Sequence, residues 1–135
     1  MGKYLLDNIP DDLTVIERAA YISKKVREIG FDWKDTEEVF EKVEEEFNEI
    51  NDEMKRKNTR SDEKLKEEVG DLVFSLINFS NFLGFDIRDA LEITNKKFIE
   101  RFSYVEDSLK NNNSNLSGAT LEEMEKLWNK AKNKP

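Results

Sequence analysis

Apolar residues recur at three- and four-residue spacing along most of the chain, and no stretch alternates with period two over a useful length. Residues 1–12 read as an irregular lead-in, in which Pro10 precedes two aspartates that can open a helix. From about Leu13 to Ile29 the stripe Ile16, Ala19, Ala20, Ser23, Val26 predicts a first helix, with Gly30 as its stop. Asp35 with Glu38 three positions on reads as a capping box for a second helix, striped by Val39, Val43, Phe47, Ile50 and Met54. After the polar break Lys55–Arg60, Ser61 or Asp62 caps a third helix. That helix is amphipathic through Leu65, Val69, Leu72 and Leu76, then apolar nearly all round as far as Gly84. A helix apolar on every side is a central one or faces a partner subunit.

Asp86 can cap a fourth helix striped by Ala90, Leu91, Thr94, Phe98, Phe102, Val105 and Leu109. The tract Asn111–Asn115 reads as a solvated loop. Thr120 with Glu123 then opens a short last helix carrying Leu121, Met124, Leu127 and Trp128. The expected fold is all-α, a helical bundle, with residues 13–135 forming one domain.

Composition narrows the chemistry. With 30 Asp+Glu against 22 Lys+Arg the net charge is −8, which argues against a nucleic-acid partner. The chain has no Cys and no His, so thiolate nucleophiles, imidazole bases and zinc sites of the usual kind are excluded. Chemistry must come from carboxylates, Lys, Arg, hydroxyls or a hard metal ion. No apolar run approaches a membrane span and the N-terminus has no signal-peptide core, so no membrane partner and a cytoplasmic location are expected.

The second and third helices echo each other. Lys42, Val43, Glu45, Glu46, Phe47, Glu49, Ile50 and Met54 repeat in character 22 positions later as Lys64, Leu65, Glu67, Glu68, Val69, Asp71, Leu72 and Leu76. Glu46 and Glu49 lie roughly 60° and 120° to one side of their apolar stripe, and Glu68 and Asp71 lie likewise on theirs. A short connection makes the two helices antiparallel neighbours, and positions with equal index sums are then level. Glu46 with Asp71 and Glu49 with Glu68 both add to 117, so four carboxylates are expected in two adjacent layers. Oxygen donors alone suit Mg²⁺ or Mn²⁺, with Ca²⁺ less well matched; a merely solvated acidic face is the alternative. Lys97 and Arg101, one turn apart, and Trp128 with Lys132 at the same spacing could complement a polyphosphate, or be ordinary surface and core residues.

Glu45-Glu46-Phe47-Asn48-Glu49 followed by Glu68-Val69-Gly70-Asp71 resembles the EExxE…ExxD signature of the MazG nucleoside triphosphate pyrophosphohydrolases. Gly30–Trp33, Lys42-Val43, Glu67–Phe74, Asn95–Phe98 with Arg101-Phe102, and Leu121–Met124 with Trp128 and Lys132 extend the resemblance over most of the chain. It implies an all-α nucleotide pyrophosphatase fold built as a domain-interleaved homodimer, which cleaves a nucleoside triphosphate to monophosphate and pyrophosphate with Mg²⁺. It implies Glu46, Glu49, Glu68 and Asp71 as metal ligands, with Glu45 and Glu67 as acidic neighbours. Lys42, Lys64, Lys97, Arg101, Trp128 and Lys132 fall on family positions for substrate binding or turnover. On this reading Glu46 or Glu49 orients or deprotonates the attacking water, while Lys97 and Arg101 hold the leaving pyrophosphate.

The first residues, Tyr4–Pro10, resemble the lead-in to the second domain of two-domain members, and Thr14 and Ser23 stand where family members often have Pro and Gln. Two other readings stay open. One is a non-catalytic acidic helical dimer that binds a partner or an ion. The other is a narrower pyrophosphohydrolase of the same superfamily, acting on pyrimidine deoxynucleotides or phosphoribosyl-ATP.

Overall fold

The computed structural model describes residues 3–56 and 58–134. Of the predicted segments, the first two residues of the lead-in, Lys57 of the polar break and the terminal Pro135 lie outside the described residues. The described residues are all-helical, with α1 Val15–Glu28, α2 Thr36–Met54, α3 Asp62–Phe82, α4 Ile87–Asn111 and α5 Leu121–Lys132 and no strand. They fall into two compact units, one ending at Arg88 and one beginning at Asp89.

Helix ends are set by local chemistry. Thr14 caps α1, so the helix opens there and not at Asp11 or Asp12. Thr14 Oγ1 accepts the Glu17 N–H at 3.2 Å and Glu17 Oε1 accepts the Thr14 N–H at 3.0 Å. This is the reciprocal box that the sequence placed on α2 and α5 instead. At α2 Asp35 does cap, but Glu38 Oε1 reaches the N–H of Lys34, one residue before the cap. At α5 Thr120 caps through the Glu123 N–H, while the Glu123 carboxylate meets the Thr120 hydroxyl. Each such cap is worth about 1 kcal/mol. Ser61 is the cap of α3.

Three helices end in the same way. Gly30 (φ 97°), Gly84 (φ 85°) and Asn113 (φ 57°) take the left-handed conformation two residues past the last residue of α1, α3 and α4. The residue after each returns a hydrogen bond to the carbonyl five positions back: Phe31 to Val26, Phe85 to Ser80, Ser114 to Leu109.

In the first unit α3 packs against both α2 and α1. Phe40 of α2 meets Phe79 of α3 with ring centroids 5.6 Å apart, and Glu53 near the end of α2 meets Ser61 at the start of α3, so the two helices form an antiparallel hairpin. Val39, Val43 and Ile77 are its buried apolar residues. The predicted stripes are only partly buried. Phe47, Met54, Val69 and Leu76 are exposed, and on α3 the buried positions are Glu68, Ser75, Ile77 and Ser80. The seam within one chain is therefore narrow and partly polar, and a further apolar face of α3 looks outward. In the second unit Val105, Leu109 and Ala131 are buried. Leu91 and Phe98, from the predicted α4 stripe, and Ile93 and Ile99 beside it are exposed.

Candidate metal centre

The α2–α3 hairpin gathers the four carboxylates at one place. Oxygens of Glu46, Glu68 and Asp71 lie within 4.8 Å of one another, and so do oxygens of Glu45, Glu46 and Glu49, so Glu46 joins both groups. The Glu49 carboxyl lies within hydrogen-bond reach of the Glu68 carboxyl, which makes these two residues level across the hairpin. The helical repeat of about 3.6 residues puts Glu46 and Glu49 on one flank of α2, and Glu68 and Asp71 one turn apart on α3.

Electrostatics follow from that crowding. The hydrogen-bond contact with Glu68, together with the charges of Glu46 and Glu68, holds the Glu49 carboxyl up at about 7. Partial burial, then the nearby Glu46, Glu68 and Glu67 charges, push Asp71 up as well. Lys42 supplies the local positive charge, with Nζ 2.9 Å from Glu46 and 3.4 Å from Glu45. The Glu46 contact holds the amine above its usual range, so it stays protonated.

Glu46 and Glu68 are 6% and 8% exposed, and Glu46 Oε2 and Glu68 Oε2 are buried without a hydrogen-bond partner. A buried carboxylate oxygen with no donor calls for a proton or a cation. The donor set is oxygen only, converges from two rigid helices and carries excess negative charge, so it fits a hard divalent cation.

Glu53 continues the Glu46–Glu49 flank at the next turn, outside the repeated acidic pattern that marks the other carboxylates in the sequence. It is 2% exposed, and its Oε1 accepts the Ser61 N–H at 2.8 Å, with Arg56 at 3.6 Å. It ties the end of α2 to the start of α3. Of the other expected site residues in this unit, Lys64 and Glu67 are exposed on α3, and Glu67 contributes charge near Asp71.

A cleft of about 200 Å³ lies beside the centre, lined by Ser23 and Val26 of α1, Phe31, Asp32 and Trp33 of the following loop, Glu38 of α2, and Phe74 and Asn78 of α3. Asp71, Phe74 and Asn78 share one face of α3 at i, i+3 and i+7. The cleft therefore begins roughly 5–10 Å along that helix from the carboxylates. In the sequence Ser23 stands on an otherwise apolar stripe, and that lone hydroxyl is the one local signal of the site.

The second unit holds the remaining expected residues. Lys97 is exposed and Arg101 half-buried on α4, and Lys132 is exposed at the end of α5. Trp128 packs on Phe98 with ring centroids 4.7 Å apart. No helix of the described residues is long and apolar enough to cross a membrane.

Residues 34–105 match the family model of the MazG nucleotide pyrophosphohydrolase domain. The chain is 38% identical to the nucleoside triphosphate pyrophosphohydrolase/pyrophosphatase MazG of Thermotoga maritima over 117 residues, 87% of this chain and 44% of that protein. It is 38% identical to the nucleoside triphosphate pyrophosphohydrolase of Escherichia coli over 127 residues, 94% of this chain and 48% of that protein. The uncharacterised protein YabN of Bacillus subtilis is 46% identical over 68 residues, half of this chain. The chain thus spans about half the length of the first two relatives.

Proposed function

Because the chain belongs to the MazG nucleotide pyrophosphohydrolase family, we propose that it hydrolyses nucleoside triphosphates to monophosphates and pyrophosphate with a divalent cation, Mg²⁺ or Mn²⁺. The observation that carries this reading is the pair of buried, unpartnered oxygens on Glu46 and Glu68 at the meeting point of four carboxylates. Glu46, Glu49, Glu68 and Asp71 would hold the ion. When bound, it would lower the pKa of a coordinated water and neutralise phosphate charge.

The chain's own residues supply the rest. Glu49, whose carboxyl is held up by its acidic neighbours, is the candidate to orient the water and take its proton as attack on the α-phosphorus begins. Glu46 is the other candidate for that role. Lys42, fixed by Glu46 and Glu45, stays charged beside the developing negative charge. Lys64, Lys97, Arg101, Trp128 and Lys132 are assigned to substrate binding by their match to family positions, with Lys97 and Arg101 for the leaving pyrophosphate. The aromatic cleft suits the base: at about 200 Å³ it falls below the roughly 300 Å³ lower bound of whole-ligand pockets and has room for one ring system.

A homodimer accounts for the outward apolar residues. Val69, Val73 and Leu76 of α3 and Phe47 of α2 are 40–60% exposed in one chain, and Leu91, Ile93, Phe98 and Ile99 of α4 are 48–65% exposed. A second copy is the partner proposed to cover them.

Phosphorus-31 NMR of the chain with each common NTP and dNTP, with Mg²⁺ and with EDTA, tests the reading. Monophosphate and pyrophosphate appearing only with the cation is the expected result. Orthophosphate with diphosphate would move the attack off the α-phosphorus, and no turnover would leave an ion-binding module.

A further inference from the structure

Ser23 and Asn78 are 55 positions apart, and the Ser23 hydroxyl donates to Asn78 Oδ1 at 2.7 Å. Ser23 is 1% exposed, so water does not compete for this hydrogen bond and it fixes the rotation of the amide. One turn further along α3, Asn81 Nδ2 donates to the Ala20 carbonyl at 3.2 Å, so two successive amides of α3 are held by α1. The Asn78 carbonyl is thus occupied. Its NH₂ group has no hydrogen-bond partner among the described residues, and Asn78 lines the aromatic cleft. Glu38 lines the same cleft as an acceptor, with Oε1 already held by the Lys34 N–H at 3.3 Å and Oε2 left over.

We propose that the Ser23–Asn78 pair determines base specificity: it presents the Asn78 NH₂ donor in the cleft that the Glu38 acceptor also lines, so that the cleft takes bases with a ring carbonyl beside a ring N–H in preference to bases with an exocyclic amine beside a ring nitrogen. Uracil is then favoured over cytosine, and hypoxanthine over adenine. A base of the second kind would set its amine against the Asn78 donor and its ring nitrogen against the Glu38 carboxylate. Both mismatches leave desolvated polar groups without partners, which is how a site built to hydrogen-bond rejects an analogue. The inference rests on the pyrophosphohydrolase reading and adds to it the edge of the base that is read.

The test is kcat/KM for UTP against CTP and for ITP against ATP, in the wild-type chain and in Ser23→Ala and Asn78→Asp, with thermal melts to confirm folding. Wild type should favour UTP and ITP by about tenfold or more, the size of one net hydrogen bond to a charged or desolvated group. Ser23→Ala frees the amide to turn and should shrink both ratios several-fold, chiefly through KM. Asn78→Asp replaces the donor with an acceptor and should invert them. Ratios near one in an active wild-type enzyme, or ratios unchanged in both folded variants, overturn this inference alone. A wild-type chain that hydrolyses none of the four overturns the pyrophosphohydrolase reading and this inference with it.

Discussion

The Glu49 carboxyl on α2 meets the Glu68 carboxyl on α3 within hydrogen-bond reach across the hairpin, and this contact, with the charge of Glu46, holds the Glu49 carboxyl up to about 7. Unfolded, the group loses its proton near 4.5; folded, it keeps it to about 7, so between these values the native state binds more protons and stability falls as pH rises. A divalent cation competes with that proton. The melting temperature without metal should therefore decline from about pH 5 to about pH 8, and the gain from added Mg²⁺ should be larger at the upper end. Calorimetry at both values, with Mg²⁺ and with EDTA, checks this. An Mg²⁺ gain independent of pH would separate the ion from these carboxylates.

Glu68→Gln removes one charge from the cluster and leaves an amide in place of a buried carboxylate oxygen proposed to hold the ion. Without metal the variant should melt a few degrees higher than wild type, because a like charge is gone. Its response to Mg²⁺ should vanish and turnover should fall by more than about 100-fold. Opposite movement of stability and activity is the signature to look for in paired melts and assays.

Glu53 is a structural carboxylate at the end of the same flank. Glu53→Ala strands the Ser61 N–H at the start of α3 and should cost about 2 kcal/mol in urea unfolding. Glu53→Gln keeps a carbonyl oxygen for that N–H and should cost less than about 1 kcal/mol. Equal losses in the two variants would mean the hydrogen bond is not what joins the helices.

Leu76 is 40% exposed on the outward face of α3, one turn past Val73. Leu76→Lys places a charge in the middle of the proposed dimer face. Sedimentation should show a wild-type dimer and a variant shifted to monomer with its helix content retained. A wild-type monomer at micromolar concentration would remove the second copy as the cover for this face.

The sequence by itself determined the helices and the meeting of the acids. Caps at Asp35, Ser61 and Thr120, and glycines at Gly30 and Gly84, act within a few residues, so local chemistry suffices to place them. The Glu49–Glu68 level was also legible, because a short connection permits only an antiparallel hairpin and the helical rise then fixes which positions face each other. Tertiary structure decided which apolar faces are covered. Periodicity marks Val69 and Leu76 as one side of a helix but carries no information on whether that side meets this chain or another, and within one chain they stay exposed. It also decided the pairs separated along the chain. Ser23 reads as a weak position in an apolar stripe until α1 crosses α3 and sets its hydroxyl against Asn78; that contact depends on packing between helices and on no local preference of either residue.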